Sequence, residues 1–145
     1  MKLELKNKKA KFKYEFIETY TAGIKLVGTE IKSIRDSKVS FTDSYCFFIE
    51  NELWLRNVHI SEYENGNINN HDPIRDRKLL LNRSELNKLE QKSAEKGLTI
   101  VPVKIFINDK NLAKVEIALA KGKNISDKRQ TIKKRDIERQ MKNEL

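Results

Sequence analysis

The sequence predicts a mainly β fold: a small antiparallel β-barrel with packed helices, followed by a basic C-terminal tail. Three observations carry this. Two stretches, 44–60 and 98–120, each hold two strand-like runs joined by a tight polar connection, the signature of sequence-adjacent antiparallel pairs. A strong helix signal lies between them. Residues 121–145 hold nine cationic and four anionic side chains but few apolar ones, so they do not read as part of a core.

The elements follow in chain order. Residues 1–11 carry Lys2, Lys6, Lys8, Lys9 and Lys11 and read as a mobile basic arm. Phe12, Tyr14, Phe16, Ile17 and Tyr20 then mark a first strand over 12–21. Ala22-Gly23 reads as a turn or bulge, and Ile24 to Leu26 as a short continuation that Gly28 breaks. Thr29 can cap a short helix over 30–35, with Ile31 and Ile34 inward. In the first hairpin the strands are 44–49 and 53–60. There Leu53, Leu55, Asn57 and His59 alternate with Trp54, Arg56, Val58 and Ile60, the period of a sheet with one buried face. Residues 61–77 form a long polar loop, a length associated with function or mobility. The helix is placed at 79–96: Asn82 and Glu85 have capping-box spacing, Leu86, Leu89 and Ser93 share a face, and Gly97 ends it. In the second hairpin Val101, Val103, Ile105 and Ile107 point inward, as do Ala113, Val115, Ile117 and Leu119 across 108–111. Pro102 has no N–H and belongs at an edge or a bulge.

At 145 residues the expected organisation is one domain, 1–120, and a tail, 121–145. Cys46 is the single cysteine, so no internal disulfide forms and a reducing, cytoplasmic setting fits. No apolar run spans a bilayer, and the N-terminus lacks the apolar segment of a signal peptide. A formal net charge of +9 points to a polyanion as partner, nucleic acid first and an anionic membrane surface second. More than half of that charge lies in the tail. There Ile137, Met141 and Leu145 make a stripe too thin to hold a helix on a core. The tail therefore reads either as a segment that turns helical against an anionic partner or as a solvated helix that frays.

Enzyme chemistry finds little support. The five glycines form neither a phosphate loop nor a dinucleotide fingerprint. Cys46, His59 and His71 match no common zinc spacing, so no metal or cofactor is expected. His59 reads as a surface or interface residue, Cys46 as a buried apolar one, and Asp72 before Pro73 as an Asx-turn residue. A hydrolase or nuclease would have to use His71, Asp72 and Asp76. Nucleic-acid binding is better served. Three basic segments can reach phosphates: the N-terminal arm, 75–78 and 121–139. Tyr20, Trp54, Tyr63 and Phe106 would stack on bases if exposed.

Nine motifs, in order and with matching spacing, give the chain a resemblance. They are N-K-K-A (7–10), A-G-I-K-L-V-G-T-E-I-K-S-I-R (22–35), D-S-Y (43–45), E-L-W-L-R-N-V-H-I-S (52–61), H-D-P (71–73), R-K-L-L-L-N-R (77–83), G-L-T-I-V-P-V-K (97–104), A-K-G-K (120–123) and D-K-R-Q-T-I-K-K-R-D (127–136). Together they resemble the SmpB family, the bacterial SsrA-binding proteins, nearly end to end. The resemblance implies an oligonucleotide-binding-type barrel, no catalysis and no cofactor. The implied partners are the tRNA-like domain of transfer-messenger RNA and the ribosome, whose empty mRNA channel and decoding centre receive the tail as a helix. It implies no membrane partner, and a monomer is expected.

By motif position the resemblance puts Glu30, Lys32, Leu80, Asn82 and Lys114 on the RNA-contacting face, and the basic pair Arg77 and Lys78 joins them. The tail's ribosome contacts would be Lys121, Gly122, Lys123, Asp127, Lys128, Arg129, Lys133, Lys134 and Arg135. Two positions depart from the family pattern: Thr21 stands where an acidic residue is common, and Ser126 where a His or Tyr ring is common. Structural roles compete at several sites. Glu30 can pair locally, Leu80 can be core, Asn82 can serve only as a cap, and Lys104 and Lys114 can guard a strand edge. The alternative function is a generic single-strand-binding barrel.

Overall fold

The computed structural model describes residues 3–66 and 70–123. Seven strands and three helices follow in the order β1 (Leu3–Lys6), α1 (Lys8–Lys13), β2 (Tyr14–Ile24), α2 (Gly28–Arg35), β3 (Val39–Ile49), β4 (Glu52–Ile60), β5 (Arg77–Leu80), α3 (Arg83–Ser93), β6 (Leu98–Ile107) and β7 (Ala113–Gly122). The antiparallel order β6-β3-β4-β5-β2-β7 returns to β6, closing a six-stranded barrel, and β1 adds to the outer half of β6. Closure removes the open edges that would otherwise invite association.

The core fills the barrel. Ile24, Leu53, Leu55, Leu79, Ile100, Ile105, Val115, Ile117 and Leu119 interdigitate there, with Ile34 of α2 and Leu86 and Leu89 of α3 closing on them. A smaller cluster, Ala10, Val101, Ala118 and Ala120, seats α1 against the outside of the barrel. Gly23 pairs with Leu80 on one side and Lys114 on the other, so Ala22-Gly23 lies within β2 and is not a turn. The irregularity in β2 comes earlier, between Phe16 and Glu18.

Two bulges decide which residues face inward. Asn57 (φ 66°) lies opposite Asp43 (φ 50°) in a break of the β3–β4 register. Beyond it the inward side passes from Leu53 and Leu55 to Val58 and Ile60, so the strict alternation expected over 53–60 does not hold. The Pro102–Lys104 bulge does the same in β6: Ile100, Ile105 and Ile107 point inward, while Val101 and Val103 face α1. Pro102 does sit at a bulge. The β3–β4 turn is a two-residue connection with Glu50 (φ 49°) and Asn51 (φ 65°) both left-handed, which matches strand twist.

Other differences have local causes. From Leu3 on, the N-terminal arm is part of the fold, because β1 pairs with β6 and Asn7 donates from Nδ2 to the Pro102 carbonyl at 2.8 Å. α2 begins at Gly28, since the Glu30 carboxylate, rather than Thr29, accepts the Val27 N–H at 2.9 Å. Thr29 instead bonds His71. Leu79 and Leu80 belong to β5, and α3 starts at Arg83 behind its Asn82 cap. Asp72 does form an Asx turn, accepting the Ile74 N–H. Lys121 and Gly122 are the last residues of β7, and Lys123 donates its N–H to the Lys13 carbonyl. The folded unit therefore extends past Ala120. Asp127, Lys128, Arg129, Lys133, Lys134 and Arg135 lie outside the described residues, as does the helix expected for them.

Candidate nucleic-acid interface

Directly opposite residues in paired strands share a face of the sheet. Lys114, Gly23 and Leu80 are such partners across β7, β2 and β5. Their neighbours Val115 and Leu79 are fully buried in the barrel, so Lys114 and Leu80 stand on its outer surface. Lys78, two residues before Leu80, faces the same way and pairs with Trp54 of β4. Leu80 is 49 % exposed, which excludes a core role. Gly23 leaves a gap between Lys114 and Leu80. A Cβ there would meet Leu80 Cβ at 3.4 Å, an ordinary contact, so packing does not require glycine. Its effect is a low spot in an exposed row where a nucleotide backbone can come close.

Asn82 borders this row. Its Oδ1 accepts the Glu85 N–H at 2.8 Å and Glu85 returns a carboxylate to the Asn82 N–H, so the capping role is real, yet the residue stays exposed. Lys78 lies 3.8 Å from Glu52, an ion pair too long to hold the lysine firmly against a phosphate. Lys32 is outside the row, on α2, with its ammonium 5.3 Å from the centre of the Tyr63 ring.

Glu30 and Arg77 cannot touch a ligand as placed, because both are fully buried. They form the brace beneath the face. Glu30 accepts from Arg77 Nε (2.6 Å), from Arg75 Nη2 (2.6 Å) and Nε (2.9 Å), and from the Val27 N–H. Arg77 donates its remaining groups to the Val58 and Pro73 carbonyls. Burial alone would raise the Glu30 pKa, but hydrogen bonds from Arg75, Val27 and Arg77 outweigh it and hold the carboxyl below its ordinary value. Burial pulls the Arg77 pKa down against the opposing influence of Glu30. One carboxylate thus joins α2, the 61–77 loop and β5. In the sequence Arg75 stands out only as part of the basic segment 75–78, and nothing there pairs it with Glu30.

His71 is a second tie. Its Nε2 lies 2.8 Å from the Ile60 carbonyl and its Nδ1 2.8 Å from Thr29 Oγ1, so a proton on Nε2 satisfies both partners. His71 is thus a structural link between loop, strand and helix. Among the described residues no group of three or more His, Cys, Asp or Glu side chains could hold a metal ion, and no helix is long and apolar enough to cross a membrane. Cys46 is buried and burial raises its pKa, so its thiol is inert.

Of the stacking candidates, Phe106 is buried and Tyr20 packs toward the core, its hydroxyl donating to Glu18 at 2.7 Å. Trp54 and Tyr63 remain half-exposed.

A closed small barrel with helices packed on it and a cationic outer row defines a protein of the oligonucleotide-binding barrel class. Residues 4–145 match the model of the SmpB protein family. The chain is 58 % identical over 139 residues to the SsrA-binding protein of Phocaeicola vulgatus, covering 96 % of this chain and 93 % of the relative. It is 55 % identical to that of Cytophaga hutchinsonii, covering 96 % and 91 %. A chain of the solved structure "tmRNA-SmpB: a journey to the center of the bacterial ribosome" superposes with a TM-score of 0.72 at 50 % identity, covering 83 % of this chain and 85 % of that one. The chain belongs to the SmpB family.

Proposed function

We propose that this chain is a non-enzymatic RNA-binding adaptor of ribosome rescue. It binds the tRNA-like domain of transfer-messenger RNA and delivers it to stalled ribosomes. The observation that carries the RNA-binding half is the row Lys114–Gly23–Leu80 with Lys78 and Asn82 on one exposed side of a rigid barrel. Such a surface reads phosphates, 2′-hydroxyls and shape more than base sequence. Glu30 and Arg77 support it from below, and Lys32 extends it along α2. Lys121, Gly122 and Lys123 lead from β7 into residues 124–145, whose charge suits the empty mRNA channel and decoding centre. Family membership and the tmRNA–SmpB structural neighbour support this assignment.

Two substitutions test the face. Lys114→Gln is expected to weaken binding of the tRNA-like RNA and to lower the salt slope of log Kd by about 1. Leu80→Glu places a carboxylate against phosphates at an exposed site. It is expected to weaken binding by about tenfold or more while the unfolding midpoint stays put. Unchanged affinity in both variants, measured by salt titration, would remove this row from the interface.

A further inference from the structure

The strand register carries the outer face one row beyond Lys114, Gly23 and Leu80. Phe47 of β3 is paired with Trp54 of β4, and Trp54 with Lys78 of β5. The Lys25 N–H donates to the Lys78 carbonyl at 3.0 Å, which continues the β2–β5 register and sets Lys25 opposite Lys78. Their chain neighbours Leu53, Leu55, Leu79 and Ile24 are buried in the barrel, so Trp54, Lys78 and Lys25 point outward together. Paired strands lie about 5 Å apart, which places the two lysines about 5 and 10 Å from Trp54 along this row, and the Leu80 row about 7 Å away.

Trp54 is the ring on this face that the fold leaves unused. Phe47 is covered by Arg56, whose guanidinium carbon lies 4.1 Å from the ring centre and which Asp76 holds through bonds of 3.1 and 2.9 Å. Tyr45 packs beside Phe47 with 6.1 Å between ring centres, and its hydroxyl accepts from Arg56 at 3.5 Å. Trp54 enters neither arrangement. It is half-exposed, and among the described residues its indole N–H has no hydrogen-bond partner. A ring with a free donor at its tip suits a surface that is apolar on one side and wet on the other. The charge around it is positive. Glu52, the carboxylate beside it on β4, is shared between Lys78 at 3.8 Å and Arg83 at 3.2 Å, while Lys25 is exposed and pairs with no carboxylate among the described residues.

We infer that Trp54 is a specificity-determining residue of the RNA face: one unpaired nucleotide of the folded RNA lays its base on the indole, with the adjoining phosphates at Lys78 and Lys25. The inference rests on the reading of the chain as an RNA binder and deepens it. A ring followed by two cations matches a base followed by its phosphates, whereas an apolar protein partner would leave both lysines desolvated without a counter-charge. Stacking reads no base identity but needs the base out of its helix, so this row selects an unpaired position that the RNA fold holds in one place.

The test uses the full chain and the tRNA-like RNA. Trp54 is the single tryptophan, so its emission reports this position alone. Saturation with the RNA is expected to quench that emission. Trp54→Leu keeps an apolar side chain but no ring; it should lower affinity about tenfold with the salt slope of log Kd unchanged, and Trp54→Phe should recover most of the loss. Lys25→Gln should instead lower the salt slope by about 1. In a series of RNAs each made abasic at one unpaired position, one member should bind wild type and Trp54→Leu with equal affinity. Emission unchanged at saturation, wild-type affinity in Trp54→Leu, or a Trp54→Leu deficit that persists against every abasic RNA would overturn the assignment. If it falls while Leu80→Glu still weakens binding, the RNA face stands without Trp54. If Leu80→Glu and Lys114→Gln also bind as wild type does, the wider reading falls with it.

Discussion

Glu30→Gln is expected to destabilise the protein by about 3–5 kcal/mol, the usual result of breaking a buried ion pair and leaving its partner charged and uncompensated. Arg77 has no solvent to turn to: it is fully buried, and its other partners are backbone carbonyls. Half-buried Arg75 loses its anchor in the same step, so the 61–77 loop should loosen from α2. Urea unfolding of the pure protein measures the effect, and a loss under 1 kcal/mol would contradict the brace. Replacing Glu30 and Arg77 together by apolar residues of similar volume should cost less than Glu30→Gln, because no orphan charge remains. The pH dependence follows the same pair. The folded-state pKa of Glu30 lies below the ordinary 4.5, so its stabilisation is fully present above that pH and is lost as pH falls through the lower folded value. Wild-type stability should therefore fall more steeply below about pH 4.5 than that of Glu30→Gln.

Removing residues 124–145 is expected to abolish tagging on stalled ribosomes while leaving affinity for the tRNA-like RNA nearly unchanged. The described fold ends with Lys123, whose N–H and Nζ both donate to carbonyls of α1, at Lys13 and Lys11. A cut after Lys123 leaves every strand of the barrel intact. A cut after Ala120 would instead remove β7 residues that pair with Tyr14, Glu15 and Leu98, so loss of function there would mix folding with tail function. Reconstituted translation on a message without a stop codon gives the readout. Tagging at wild-type level by the shorter chain would refute the role given to the tail.

The sequence disclosed most of the scaffold and little of the brace. Both hairpins, the Asn82–Glu85 cap and the Pro102 bulge were legible because each rests on local chemistry: a period of two, a side chain that reaches three residues ahead, a missing N–H. The inward set of 53–60 was misread because a bulge at Asn57 shifts the phase, and asparagine enters the left-handed region without leaving a pattern. The basic arm looked mobile because its order comes from a strand about 100 residues away. Glu30 looked like a surface carboxylate for the same reason. Its partners, 45 and 47 residues on, belong to what reads as a polar loop. Leu80, Asn82 and Lys114 were reached through family motifs, and only the strand register shows that Gly23 joins Leu80 to Lys114.

The central claim is that a rigid barrel face grips a folded, tRNA-like RNA. Equilibrium binding of the full chain to that RNA and to unstructured RNA of equal length and charge, at one salt concentration, tests it most directly. The account predicts markedly tighter binding to the folded RNA, with the preference reduced by Leu80→Glu. Equal affinity for the two RNAs would contradict it and leave a barrel that binds any single strand.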